Sequence, residues 1–144
     1  MLVLLAINTM STSPEDLLSL ATSLNSDKNY QNEASKRALV SRAYYSAFHQ
    51  AKKISYNFLL PDSTITATGS HQKELNKLIQ CDPVHSKEHW MSIKSIGVMA
   101  ARVLNPARTK ADYHLDEVMT DVEAEEALER AKLIETKAKQ LLNN

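Results

Sequence analysis

From Asn32 to Leu60 the chain contains neither glycine nor proline, and no other feature of the sequence restricts the fold as strongly. An unbroken stretch of that length exceeds any ordinary strand and is long enough for a helix to propagate beyond its costly first turn. Its apolar residues Val40, Tyr44, Ala47, Ala51, Ile54 and Phe58 step by four and three in alternation. Residues so spaced lie above one another on a helix, so they form one apolar stripe. The spacing predicts a long amphipathic helix whose stripe must be covered by other elements.

The rest of the chain supplies such elements. Ser13-Pro14-Glu15-Asp16 reads as an N-cap, a proline at the first helical position and acids at the positive end of the helix dipole. The helix it opens should run to about Leu24, with Leu17, Leu18, Ala21 and Leu24 facing inward, and Asn25-Ser26-Asp27 should end it. Pro61 to Gly69 has no usable period and reads as a loop, Ser70 to Gln80 as a short helix, and Asp82-Pro83 as a second break. A fourth helix is expected from Trp90 to Leu104, with Gly97 and Ala100-Ala101 permitting close approach to a neighbour. Asn105-Pro106 is expected to stop it, since proline lacks the amide donor and disfavours helix in the residue before it. Arg108 to Met119 then reads as a polar connection. Thr120 and Glu123 have the spacing of a capping box, opening a last helix with Ala124, Ala127, Leu128, Ala131, Ile134, Ala138 and Leu141 on one face. The expected architecture is all-α, an up-and-down bundle of four or five helices with one short extra helix.

Two glycines and four prolines in 144 residues agree with long helices, and 43% apolar with 24% charged residues is an ordinary globular composition. One domain is expected over residues 13–144, with 1–12 as an N-terminal extension and Met10 as an alternative start. The apolar run Leu2 to Ile7 has no basic flank and is too short for a signal sequence or a membrane span. The single cysteine, Cys81, leaves no internal disulfide and no cysteine-rich zinc site. A cytoplasmic protein without a membrane partner is expected.

Formal net charge is zero, so no global field attracts nucleic acid. Charge is segregated nonetheless. Lys28, Lys36, Arg37, Arg42, Lys52 and Lys53 are accompanied only by Glu33, whereas Asp112 to Glu129 is rich in acids without a lysine or arginine. The two stretches can pair as neighbouring helices, or the basic one can form a strip for phosphates.

Several chemistries are excluded by pattern. Two isolated glycines make no phosphate-cradling loop, and the chain has neither a GxSxG elbow nor an HExxH helix. His85 and His89 have the spacing of two metal ligands on one helix face, without an obvious third ligand beyond Asp82 or Glu88. No metal and no cofactor is expected.

Ser41-Arg42-Ala43-Tyr44-Tyr45-Ser46-Ala47-Phe48-His49 places Tyr44, Ala47 and Phe48 on the apolar stripe and Arg42, Tyr45 and His49 beside it. This string resembles the SRAYYAAFH signature of HEPN domains, helical proteins of prokaryotic toxin, CRISPR and phage-defence systems. Arg108-Thr109-Lys110-Ala111-Asp112-Tyr113 is similar to the RxxADY element of the same family, and Gly69-Ser70-His71 opens the short helix. The resemblance spans residues 13–142 and implies an arginine and a histidine four to six residues beyond it as catalytic groups; here they are Arg108 and His114, with Asp112 and Tyr113 in support. Leu115-Asp116 stand where some members carry a tyrosine modified by a nucleotidyltransferase.

The residue types fit the chemistry. Cleaving RNA without a metal requires proton transfer from the ribose 2′-OH and to the leaving 5′-oxygen, for which imidazole suits neutral pH. It also requires a fixed cation on the phosphoryl oxygens, which guanidinium provides. The resemblance implies a homodimer whose two motifs share one cleft, a 2′,3′-cyclic phosphate product, and RNA contacts from Arg42, Tyr45, His49 and His71. A cognate antitoxin or nucleotidyltransferase is a possible partner. The other reading is a non-catalytic HEPN module that binds RNA or nucleotide or docks a minimal nucleotidyltransferase. For the motif itself, an Arg108–Asp112 brace with Tyr113 plugging the bundle end stands beside the catalytic reading.

Overall fold

A computed structural model describes residues 12–143, so the expected extension lies, apart from Thr12, outside the described residues. The chain is an all-α bundle. Helix α1 (Pro14–Ser26) is followed by a single 3₁₀ turn at Lys28–Tyr30 and by the long α2 (Glu33–Asn57). After the 58–69 connection come α3 (Ser70–Ile79) and α4 (Trp90–Met99). A π-helical turn at Ala100–Leu104 joins α4 to α5 (Asn105–Tyr113), and α6 (Asp121–Leu142) closes the chain. No helix among the described residues is long and apolar enough to cross a membrane.

Local chemistry sets the helix starts. Ser13 accepts from the Asp16 amide while the Asp16 carboxylate accepts from the Ser13 amide, a complete capping box, and Thr120 and Glu123 make the same reciprocal pair at α6. Such a cap contributes about 1 kcal/mol. Asn32 caps α2 through the Ser35 amide.

The core is the stripe of α2. Val40, Tyr44, Ala47, Ala51 and Ile54 are buried against Leu18 and Ala21 of α1 and against the inward face of α6, where all seven expected residues from Ala124 to Leu141 are buried. Phe58, Leu17 and Leu24 sit at the margin, half-buried. Gly97 lets α4 pack on α3 backbone to backbone. A methyl group there would lie 2.7 Å from the Leu78 Cβ and 2.8 Å from the Ile79 nitrogen.

Two sequence expectations are corrected. Pro106 does not stop the fourth helix, and Arg108 to Tyr113 is helix rather than a polar connection. The obstacle a proline poses inside a helix is its ring against the carbonyl four residues earlier and its missing amide. Here the chain widens by one residue, so that the Asn105 amide bonds the Ala100 carbonyl five residues back, and Pro106 enters the next turn where its ring is tolerated. Burial of Leu104 and Ala111 on either side keeps the helix going.

Candidate functional site

Helix α2 exposes two chemically different surfaces beside its core stripe. Arg42, Tyr45, His49, Lys52 and Lys53 share one face, because their spacings of three and four bring them into register. With Ser41, Thr12, Ser13, Pro14, Leu17 and Asp112 they line an open groove of about 790 Å³. The start of α1 forms its far wall and is fixed to α2 by two bonds. Ser46 donates to the Pro14 carbonyl at 2.7 Å, and Gln50 donates to the Glu15 carboxylate at 2.9 Å. Asp112 is held at the rim, accepting from the Ser41 hydroxyl at 3.3 Å.

The Arg42 guanidinium lies over the Tyr45 ring, 5.1 Å from its centroid. Among the described residues neither Arg42, Lys52 nor Lys53 forms an ion pair; of the basic stretch, Lys36 pairs with Asp121 of α6 at 2.6 Å and Arg37 with Glu33 at 2.9 Å. The expected pairing of basic and acidic helices is therefore confined to one end of α2. Three fixed cations facing a groove with one carboxylate create a surface for phosphates.

Behind Tyr45 lies a more enclosed cluster. Tyr44 is fully buried, and its hydroxyl is 2.9 Å from Nδ1 of His71 at the start of α3. The His71 ring stacks on Phe48 with centroids 4.3 Å apart. Arg108, carried in by α5, places its guanidinium 4.9 Å from the Tyr44 centroid, 5.9 Å from that of Tyr45 and 6.0 Å from that of Tyr113. One guanidinium nitrogen donates to Asn105 Oδ1 at 2.8 Å, while the buried Nε has no partner.

Burial pushes the Tyr44 phenol up to about 12, against the opposing pull of the Arg108 charge. Burial also holds the His71 imidazole below its ordinary range, helped by the positive charges of Arg108 and Lys52. His49 is lowered by burial first and then by Lys52 and His71.

The segment after α5 is shaped by Arg37. Its guanidinium donates to the carbonyls of Lys110, at 3.0 Å, Ala111, at 3.1 Å, and His114, at 3.2 Å, and also to that of Glu117. Glu33 receives Arg37 and also the Met119 amide, at 3.1 Å, and these bonds keep its carboxyl below the usual range. The end of a helix leaves carbonyls unpaired; a buried arginine satisfies them here and fixes the turn.

His114 is the residue at which α5 ends. Its side chain is 51% exposed and meets the Glu117 carboxylate at 3.0 Å. Within one chain no hydrogen bond joins His114 to Arg108 among the described residues, and the two do not share the groove. Six positions of α-helix turn the two side chains to different faces.

The expected Arg108–Asp112 brace is replaced by Arg108–Asn105 and Ser41–Asp112, and Tyr113 is exposed instead of plugging the bundle. Arg42, Tyr45 and His49 do converge, and His71 joins them through Tyr45, which it meets edge-on at 5.7 Å. Sequence reasoning missed Arg37, whose signal was the i, i+4 spacing to Glu33, and missed Lys52 and Lys53, two turns beyond Tyr45 on the same face. His85 bonds Asp82 at 3.2 Å and His89 lies against Phe58. Compared with known proteins, the chain matches no family model, no curated protein and no solved structure.

Proposed function

We propose that this protein is a HEPN-type, metal-independent endoribonuclease of toxin or phage-defence type, which binds single-stranded RNA along the α2 groove and cleaves it as a homodimer. The observation that carries the reading is the groove itself: Arg42, Lys52 and Lys53 unpaired along one face, interleaved with Tyr45 and His49. Cations that track a backbone and aromatic rings that stack on bases are the two components of single-strand binding. Arg108 lies directly behind this face, where a guanidinium stabilises charge developing on a phosphoryl group. The resemblance assigns proton transfer to His114, and because His114 is turned away from Arg108 within a chain, that assignment requires a second copy to complete the cleft.

The test is incubation of purified protein with total RNA in EDTA, beside Arg108→Ala and His114→Ala. Cleavage to 2′,3′-cyclic phosphate ends is expected from the wild type, with a loss of about a hundredfold or more in Arg108→Ala. Cleavage of equal rate in both variants ends the proposal. A second reading, a non-catalytic module that binds RNA or docks a nucleotidyltransferase, is favoured by the ion pair that His114 makes with Glu117. RNA binding without any cleavage, and without growth arrest on expression in bacteria, decides for that reading. An antitoxin or nucleotidyltransferase partner is tested by co-purification with the product of the adjacent gene.

A further inference from the structure

His71 is oriented more completely than packing requires. Tyr44 engages Nδ1, Phe48 covers one face of the ring and Tyr45 meets it edge-on. A phenol oxygen both donates and accepts, so Tyr44 serves His71 in either neutral tautomer and in the protonated form. Nε2 is then the nitrogen without a partner among the described residues, and the one available to a substrate. The same tyrosine carries Arg108 against its ring at 4.9 Å, and the Arg108 Nε donor is buried and unmatched. An oriented imidazole and a fixed guanidinium are thus assembled around one buried phenol, in a single chain, beside the cationic groove.

We infer that His71 is the proton-transferring residue of the cleavage, with Arg108 on the phosphoryl oxygens and Tyr44 as the positioning residue; this rests on the ribonuclease reading above. Nε2 accepts the proton of the ribose 2′-OH as the 2′-oxygen forms its bond to phosphorus. The P–O5′ bond breaks with its electron pair remaining on O5′, and the imidazolium returns the proton there. The products are a 2′,3′-cyclic phosphate and a 5′-hydroxyl, with no net gain or loss of protons.

The surroundings suit the basic form. The titratable and charged groups around the ring are Tyr44, Tyr45, His49 and Lys52 of α2 and Arg108 of α5. None is an acid. His114, by contrast, faces a carboxylate.

The experiment measures RNA cleavage in EDTA by wild type, His71→Ala, His71→Gln and Tyr44→Phe, with RNA affinity and thermal melting recorded for each. Both His71 variants are expected to lose about 10² to 10⁴ in rate while binding RNA within about threefold, because binding rests on the groove cations. Free imidazole is expected to restore part of the activity of His71→Ala, which it does not do for a residue with a purely structural role. Tyr44→Phe is expected to lower kcat about tenfold with KM unchanged. The acid limb of the wild-type kcat/KM profile is expected below 6.5, the ordinary histidine value, and to move upward in Lys52→Ala. Wild-type rates in folded His71→Ala overturn the assignment and leave the nuclease reading standing; an RNA-binding wild type that does not cleave overturns both.

Discussion

The two ends of α2 carry the same kind of side chain for opposite purposes. At the N-terminal end Lys36 and Arg37 are consumed by structure: one pairs with α6, the other is buried beneath the turn after α5. Toward the C-terminal end Arg42, Lys52 and Lys53 remain open along a groove. Runs of basic residues that look uniform in a sequence are therefore divided by what the neighbouring backbone offers. Where unpaired carbonyls converge, the cation becomes a strut; where a helix start merely forms a wall, it stays available to a ligand.

The comparison is broken most severely at Arg37. Arg37→Ala strands several carbonyls and the Glu33 carboxylate, and a loss of about 3 kcal/mol is expected from chemical denaturation. Arg42→Ala, of equal size and charge, is expected to cost under about 1 kcal/mol; equal losses would show that the groove cations are also structural. The reverse contrast holds for ligand. The pair Lys52→Glu and Lys53→Glu is expected to weaken binding of a single-stranded oligoribonucleotide by more than about tenfold and to flatten its dependence on salt, whereas Lys36→Glu leaves it nearly unchanged; fluorescence anisotropy across a salt series reads both.

Acidification separates the two ends by pH. His49 and His71 have folded-state values below 6.5, so the unfolded chain takes up protons first and stability at the groove end falls as pH drops below that value. Glu33 is also lowered, from 4.5, but a carboxylate of this kind gives stability that is present above the unfolded value and lost only as pH falls through the folded one. Amide exchange is expected to accelerate around His49 at mildly acidic pH and around Arg37 only at lower pH. The smallest effect belongs to the exposed Lys36–Asp121 pair, where Asp121→Ala is expected to change stability by less than about 1 kcal/mol and less still in high salt.

What could be foreseen from the residues was whatever depends on near neighbours along the chain. The stripes of α2 and α6 and both capping boxes follow from spacings of three and four, and each is present. Pro106 was misjudged because the rule for proline assumes a regular helix, and the π-helical turn before it removes the clash. Arg37 and the Tyr44–His71 pair escaped for a different reason. Their partners lie 27 to 80 positions away, and neither periodicity nor propensity carries information over that range. The convergence of Arg42, Tyr45 and His49 could be read from α2 alone; the place of Arg108 behind them could not, since it depends on how α5 is aimed.

That aim has a source in the widened turn at Ala100–Leu104. One residue more or less in a helix rotates everything after it by about 100°. Deleting a single residue there would restore a regular winding and swing the guanidinium away from the tyrosines, with every residue of the RxxADY segment intact. The phase of the helix upstream, invisible to any comparison of the motif alone, is thus part of what makes the motif usable.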